Sequence, residues 1–282
     1  MTKIRTHLYC INARYKNVRL YCMDQESHKN ITESTVWKTE TKRWVYETTE
    51  LLPGNFNISK DSFKTLYLNK IWKLRIMTLR ELFLDGYSVF ISDIDSIWNK
   101  KVELKDLPSN FDMIAAVCTG IPRNVLKDWS FTICAGVSYY RPTEKIVNFF
   151  DALWEHCTNL PHDKEFCNDQ HEINKFLMAG DIKWYNANET EQEKHWQSPI
   201  GYHKIGVASQ VESKMSGFEI MVMSRDDVMR AGGVDNCART WIMNPIANGF
   251  GSANKLRIFK KHQGCFESQE LERLQDSFEK IK

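Results

Sequence analysis

The sequence predicts an α/β protein with a mostly parallel central sheet flanked by helices. Short apolar segments typical of buried strands recur along the chain, and segments with helical periodicity lie between several of them. Strands that alternate with helices usually form a parallel sheet covered on both faces. The 282 residues contain no internal repeat, low-complexity tract or Gly/Ser linker, so we expect a single domain over residues 1–282.

The first part of the chain is predicted to hold an early strand, a long helix and a strand that ends in acids. Asn17–Asp24 is the early strand. In Asp61–Asp85, apolar residues recur at three- and four-residue steps, which predicts a helix, and Gly86 supplies its stop signal. The segment GYSVFISDIDSIW then predicts a buried strand that leads into Asp93 and Asp95.

The rest of the chain is predicted to continue the alternation of strands and helices. A proline at a helix start and a glycine after a helix end support two of the helices. The predicted strands are Phe111–Cys118, Phe131–Tyr140, Ile182–Asn186 and Phe218–Met223. The predicted helices are Pro142–Cys157, Cys167–Gly180 and Glu267–Lys282.

Composition excludes several classes of protein. The chain is 42% hydrophobic and 26% charged, as in an ordinary globular protein. Its formal net charge of +2 gives no reason to expect a nucleic-acid partner. No apolar run reaches the length of a membrane span. The eight cysteines form no Cys-x-x-Cys pair, and we expect them to be reduced core thiols.

Asp93 and Asp95 are the strongest candidates for a functional site. In extended backbone, residues i and i+2 point to the same side, so their carboxylates can converge beyond the strand end. Two such anions repel unless a cation lies between them, and carboxylate oxygens suit Mg²⁺ or Mn²⁺. The alternative is a turn in which the aspartates bind backbone amides. Ligands bind at the carboxyl ends of strands in α/β sheets, which favours the functional interpretation.

Several segments together resemble the nucleotide-diphospho-sugar transferase family. They are a helix followed by LFLDGYSVFISDIDSIW, the glycine-centred strand CAGVSYYRPT, and DQHEIN. The chain has neither a Gly-x-Gly-x-x-Gly motif nor a Gly-Lys-Ser/Thr phosphate loop, which disfavours a standard dinucleotide site or an NTPase. The family includes plant rhamnogalacturonan xylosyltransferases and related retaining glycosyltransferases of GT-A fold. The resemblance covers about Lys70 to Leu177, and the last third of the chain only loosely.

The resemblance implies roles for individual residues. Asp93 and Asp95 match the Asp-x-Asp motif that holds Mn²⁺ (or Mg²⁺) against the diphosphate of a sugar nucleotide. Ser92 matches a polar position near the ribose. Arg75 stands where the family often has lysine and would contact phosphate or sugar; the alternative is a solvated helix charge. Asp169 and Gln170 match the Asp-Gln pair that faces the transferred sugar and the acceptor. Their alternative role is helix capping by Asn168 or Asp169.

The chain also departs from the family pattern. Cys134 and Ala135 precede Gly136 where relatives often have asparagine and threonine. The late histidine expected as a third metal ligand is missing, and Asn244 offers a carbonyl oxygen instead. Lys255 follows a glycine-containing segment and would reach the diphosphate; the alternative is that this segment is a plain surface turn.

We therefore expect a glycosyltransferase that uses a nucleotide-sugar donor, such as a UDP-sugar, and a glycan or glycoprotein acceptor. The alternatives are a metal-dependent nucleotidyl- or phosphotransferase and an inactive sugar-nucleotide-binding protein. The chain has no secretory signal or anchor before its first predicted strand, which favours a soluble cytoplasmic enzyme. The alternative is the lumenal catalytic domain of a trimmed Golgi enzyme.

Overall fold

The structure is a computed structural model that describes residues 20–22, 29, 45–47, 60–93, 96–98, 102–118, 120–159, 168–186, 202–208, 217–224, 227–229, 240 and 242–243. The helices are α1 (Lys60–Leu84), α2 (Arg123–Trp129), α3 (Glu144–Asn159) and α4 (Asp169–Ala179). The first strands are β1 (Leu20–Cys22), β2 (Val45–Glu47), β3 (Val89–Ser92), β4 (Ile97–Trp98), β5 (Met113–Cys118) and β6 (Thr132–Tyr140). The later strands are β7 (Ile182–Asn186), β8 (Tyr202–Ala208), β9 (Glu219–Met223), β10 (Val228–Met229) and β11 (Ile242–Met243).

The central sheet has six strands in the order β3-β6-β5-β9-β8-β7. The α/β class is confirmed, but the prediction of a mostly parallel sheet is wrong. Among the described residues, β5 and β9 are the only parallel neighbours in this sheet, and the other pairings are antiparallel. The apolar pattern of a buried strand is the same in either direction. The helices also connect strands that are not parallel neighbours in the sheet. The alternation of strands and helices along the chain therefore did not indicate a parallel sheet.

The two faces of the sheet pack against different layers. On β5, Met113 and Ala115 belong to one apolar cluster, whereas Ile114 and Ala116 belong to the other, because alternate residues face opposite sides. The first cluster includes buried side chains of α1, α3 and α4. The second includes residues of the small sheet β10-β11-β4, such as Trp98. Both faces of β5 and β6 are therefore buried, which explains their nearly continuous apolar sequences.

Most of the elements expected from the sequence are confirmed, with ends that differ by a few residues. The helices expected at 61–85, 142–157 and 167–180 are α1, α3 and α4, and the expected strands are β1, β3, β5, β6, β7 and β9. The helix expected at 267–282 lies outside the described residues. The sequence interpretation did not include α2 or the strands β2, β4, β8, β10 and β11.

Gly86 ends α1 and sets the direction of β3. Its φ is +79°, a left-handed conformation that glycine adopts without steric cost. The Tyr87 N–H donates to the Leu82 carbonyl, and the Gly86 N–H donates to the Phe83 carbonyl. These two bonds form a Schellman motif, which satisfies carbonyls at the helix end. The chain thus turns directly from α1 into β3, and both elements contribute to the site.

A bulge interrupts β6 beside the end of β3. On β5, Ala115 is opposite Ser138, but the next residue, Ala116, is opposite Cys134. The residues between Cys134 and Ser138 therefore bend out of register with β5, and the Ser138 hydroxyl donates to the Cys134 carbonyl at 2.6 Å. Bulges often occur next to active sites, where they redirect the chain. This bulge contains Gly136.

Cys118, Cys134 and Cys157 are buried thiols that form no disulfide. The three cysteines are core residues, as the sequence predicted. Among the described residues, no helix is both long enough and apolar enough to cross a membrane.

Candidate functional site

Asp93 follows β3 directly, and its carboxylate lies over the backbone of the β6 bulge. The Asp93 N–H donates to the Gly136 carbonyl at 2.7 Å, and the Asp93 carbonyl accepts from the Ser96 N–H at 3.0 Å. A Cβ atom added to Gly136 would lie 2.0 Å from Oδ2 of Asp93. Glycine at position 136 therefore makes room for this carboxylate, and the strand end and the bulge form one unit.

Arg75 links Asp93 to a second carboxylate, Asp169. Its Nη1 lies 3.2 Å from Oδ1 of Asp93, and its Nε and Nη2 both contact Oδ2 of Asp169. The Arg75 side chain is 28% exposed and the Asp93 side chain 36% exposed, whereas Asp169 is 2% exposed. The arginine is thus held from the buried side by Asp169 and reaches the half-exposed Asp93. The alternative of a solvated helix charge is wrong for Arg75.

Asp169 is the first residue of α4. The preceding Asn168 caps the helix, because its side chain accepts from the His171 N–H at 3.0 Å. Oδ1 of Asp169 accepts from the Gln170 N–H at 2.7 Å, while Oδ2 binds Arg75. A carboxylate is also favoured at the positive end of a helix dipole. Asn168 therefore supplies the cap, and Asp169 pairs with a residue 94 positions earlier in the chain.

Burial and the ion pair have opposite effects on the pKa values of Arg75 and Asp169. Burial raises the pKa of Asp169 above its ordinary value, and the neighbouring Arg75 opposes that rise. For Arg75, burial acts to lower the pKa, but Asp169 and then Asp93 outweigh it and raise the pKa. Burial also raises the pKa of the nearby Tyr140 hydroxyl, so this group stays protonated at neutral pH. Arg75 remains a cation, and its charge is available to the half-exposed side of the cluster.

Gln170 connects α4 to the segment between β5 and α2. Its Nε2 donates to the Ile121 carbonyl at 3.2 Å and lies 3.6 Å from the sulfur of Cys118. The Ile121 side chain beside it is 44% exposed. The amide of Gln170 therefore lies at the rim of the site, next to an exposed apolar residue.

Ser92 and the residues before Gly136 have mainly structural surroundings. The Ser92 hydroxyl accepts from Nε1 of Trp98 at 2.8 Å, which joins β3 to β4. Cys134 and Ala135 are buried in the two apolar clusters. The departure from the family pattern at these two positions thus adds apolar packing next to Gly136.

The remaining predicted ligands lie outside the described residues. Asp95, Asn244 and Lys255 are in this group, so their distances to Asp93 are not defined. Within the described part of the chain, no group of three His, Cys, Asp or Glu side chains could hold a metal ion. Asp93 itself fits a hard cation, because it is a half-exposed carboxylate at a strand end.

Two features of the site did not follow from the sequence. The double ion pair of Arg75 joins residues far apart in the chain, and no local pattern signals it. Asn174, which binds the backbone of β6, ends the segment DQHEIN, an Asp-Gln-x-x-x-Asn pattern that supported the resemblance but predicted no role for this asparagine.

A fixed arginine beside a half-exposed carboxylate, at the end of a buried strand, suits an enzyme that handles a charged phosphate substrate. The α/β fold with its mixed sheet is compatible with a transferase that acts on nucleotide sugars. The chain matches the family model described as nucleotide-diphospho-sugar transferase over residues 14–231. It therefore belongs to that family, which confirms the resemblance. No curated protein matches the chain significantly.

Proposed function

We propose that the protein is a metal-dependent, retaining glycosyltransferase of GT-A type. It moves a hexose or pentose from a nucleotide-diphosphate sugar, most simply a UDP-sugar, to a hydroxyl of a glycan or glycoprotein. Family membership supports the nucleotide-sugar donor. The observation that carries the proposal is the placement of Arg75 between Asp93 and Asp169 at the end of β3.

The donor diphosphate would lie over the half-exposed side of the cluster. Asp93, Asp95 and Asn244 are the residues that would hold Mn²⁺ or Mg²⁺, and Ser92 would lie near the ribose. When bound, such an ion stabilises the charge that grows on the leaving diphosphate. Asp93 is oriented for this role by its backbone bond to Gly136.

Arg75 supplies a fixed positive charge for the same leaving group. Because Asp169 binds its Nε and Nη2, the guanidinium is oriented before substrate arrives. A preorganised charge stabilises developing negative charge without a cost in reorganisation. Arg75 contacts Asp93 through Nη1 at 3.2 Å, on the half-exposed side where phosphate oxygens would approach. Lys255 would add a second cation.

Asp169 and Gln170 are the proposed catalytic pair. The bond from the anomeric carbon to the diphosphate oxygen breaks, and a bond to the acceptor oxygen forms on the same face. The acceptor proton passes to the departing phosphate, as the family's retaining chemistry implies. The carboxylate of Asp169, which is buried against Arg75, would favour the oxocarbenium-like sugar through its negative charge. The amide of Gln170, which bonds the Ile121 carbonyl at the rim, would bind sugar or acceptor hydroxyls.

Asp169→Asn tests this assignment. Asparagine keeps the size of the side chain and its contact to the Gln170 N–H but removes the charge. We expect turnover to fall by about 100-fold or more, while affinity for the sugar nucleotide changes little. Wild-type turnover in this variant would leave Asp169 with only its structural role.

The nucleotidyl- or phosphotransferase alternative would use three neighbouring acids on metal. Asp169 is another acid near Asp93, but the Arg75 guanidinium contacts both carboxylates and lies between them. Together with the family match, this arrangement favours sugar transfer. An inactive binding protein would bind a sugar nucleotide without turnover.

One assay separates these three functions. Wild-type protein is incubated with UDP- and GDP-sugars, with Mn²⁺ or with EDTA, and the products are measured. Metal-dependent release of nucleoside diphosphate, increased by an acceptor glycan, supports the proposal. Release of a sugar phosphate or of pyrophosphate would support the phosphoryl alternative, and absence of turnover with binding would support the inactive one.

We also propose that the enzyme works in a reducing compartment, as a cytoplasmic protein does. The observation in support is that Cys118, Cys134 and Cys157 lie in the apolar clusters, where cysteine behaves as a small core residue. A trimmed lumenal Golgi domain remains the alternative, and disulfides elsewhere in the chain would distinguish it.

A further inference from the structure

Asn174 lies on α4, one helical turn after Gln170, and is completely buried. Its Oδ1 accepts from the Ile133 N–H at 2.7 Å, and its Nδ2 donates to the Ile133 carbonyl at 2.8 Å. The same Nδ2 donates to the Gln170 carbonyl at 2.7 Å. One side-chain amide therefore binds both backbone groups of a strand residue and the backbone of its own helix.

The contact of Asn174 with Ile133 lies on the part of β6 that does not pair with β3. The pairing of β3 with β6 ends at Ser92 and Val137, inside the bulge. Ile133 lies beyond the bulge, opposite Val117 of β5. Its N–H and carbonyl both bond the side chain of Asn174. The amide of Asn174 makes there the pair of hydrogen bonds that another strand would make, since an amide offers the same donor and acceptor as a peptide group.

The consequence is a fixed distance between α4 and the end of β3. Asp169 is five residues before Asn174 and reaches Arg75, while Gln170 is four residues before it and reaches Ile121. Asp93 is bound to Gly136, inside the bulge of the same strand that Asn174 holds. The positions of both carboxylates that contact Arg75 are thus fixed relative to β6. Asp93 is held through Gly136, and Asp169 is held through Asn174.

We propose that Asn174 is a positioning residue for sugar transfer, which fixes α4 against β6 so that Asp169 and Gln170 face the donor site. This inference rests on the proposed function. It gives the Asp-Gln-x-x-x-Asn pattern a physical reason: the asparagine is the anchor, and the two residues one turn earlier are placed by it.

The kinetic test compares Asn174→Ala, Asn174→Gln and Leu177→Ala. Leu177 is a fully buried core residue of the same helix, and its truncation destabilises α4 without removing the bonds to Ile133. Glutamine keeps the amide but displaces it by one methylene. We expect kcat to fall by about 100-fold in Asn174→Ala and at least about tenfold in Asn174→Gln, with KM for the sugar nucleotide near wild type. Leu177→Ala should keep kcat within about threefold at a temperature where it is folded.

A second readout does not depend on activity. Arg75→Gln is introduced into the wild type, into Asn174→Ala and into Leu177→Ala, and Tm is measured for each. If Asn174 places Asp169 against Arg75, Arg75→Gln should lower Tm clearly in the wild type and in Leu177→Ala, but less than half as much in Asn174→Ala. If Asn174→Ala does not fold, Asn174→Gln takes its place in both measurements.

The outcomes separate this inference from the proposed function. A wild type that transfers no sugar defeats the proposed function, and the Tm comparison still decides whether Asn174 positions Asp169. Wild-type kcat in both Asn174 variants, or a full effect of Arg75→Gln on Tm in the Asn174→Ala background, would overturn the positioning role. Equal loss of kcat in Leu177→Ala would also overturn it, since general loosening of α4 would then be the cause.

Discussion

Arg75 holds together two carboxylates that come from distant parts of the chain. Asp169 is buried at 2% exposure, and an uncompensated charge in that position would be costly. The guanidinium compensates it and also reaches Asp93 on the half-exposed side. The same residue therefore has a structural and an electrostatic role, and its removal should affect both stability and activity.

Arg75→Gln should make stability depend on pH. Arg75 opposes the rise that burial causes in the pKa of Asp169, so without it that pKa rises further. A carboxyl whose folded-state pKa lies above its unfolded value binds more protons in the folded state, and stability is lost as pH increases through that interval. We expect Arg75→Gln to cost about 2–3 kcal/mol near pH 7.5 and much less near pH 4, measured by urea unfolding.

The matched control for this prediction is Arg80→Gln. Arg80 also lies on α1 and pairs with Asp151 of α3, but its partner is 38% exposed. Such a pair contributes up to about 1 kcal/mol. If Arg75→Gln lost no more stability at pH 7.5 than at pH 4, the buried Asp169 would not depend on Arg75 for its charge.

At the scale of elements, the β6 bulge and the end of β3 form the base of the site. Gly136→Ala tests their fit, because the added Cβ would lie 2.0 Å from Oδ2 of Asp93 and the carboxylate would have to move. A displacement of about 1 Å can cost about 100-fold in rate. We expect transfer to fall by about that factor, with a loss of stability of roughly 1–2 kcal/mol.

Gly120→Ala is the matched control for Gly136→Ala. A Cβ at Gly120 would meet only the sulfur of Cys118 at 3.9 Å, an ordinary contact. It should keep wild-type transfer. Unchanged transfer in Gly136→Ala would mean that the position of the Asp93 carboxylate does not matter for the reaction.

The sequence predicted individual elements better than their pairing. The three- and four-residue steps and Gly86 defined α1 to within a residue at each end, because both signals are local. Strand direction was not predictable, because a buried strand such as β5 has the same apolar pattern whether its neighbour is parallel or antiparallel. β8 was missed because Lys204 and Gly206 interrupt its apolar residues. Gly206 is needed there, since a Cβ would lie 2.5 Å from the Trp184 ring.

The candidate site was also predicted only in part, because its contacts join residues from distant parts of the chain. Asp93 was predicted from its place at a strand end, Arg75 and Asp169 came from the family resemblance, and the structure brings these three together. Their ion pairs depend on how α1 and α4 pack against β6, which is long-range information. The strand-like contact of Asn174 with Ile133 depends on β3 ending early, and no pattern in one segment records that.

At the scale of the whole molecule, the cysteines test the proposed compartment. Cys118, Cys134 and Cys157 are thiols within apolar clusters, and the chain has eight cysteines in all. If the protein works in a reducing compartment, thiol titration of the denatured, unreduced protein should find eight thiols. Two or more disulfides would contradict a cytoplasmic location and favour the lumenal alternative.

The central claim is that Asp93 and its neighbours form a metal-dependent site for a sugar nucleotide. A thermal-shift measurement tests it on wild type, Asp93→Asn and Asp151→Asn, with UDP- and GDP-sugars in Mn²⁺ or EDTA. Asp151→Asn is the control, because Asp151 is also a half-exposed partner of an α1 arginine. A ligand at 100 times its Kd stabilises by about 2.7 kcal/mol, so Tm should rise by several degrees. We expect this rise in wild type and Asp151→Asn, only with Mn²⁺, and none in Asp93→Asn. No rise in wild type with any sugar nucleotide, or an equal rise in Asp93→Asn, would contradict the account.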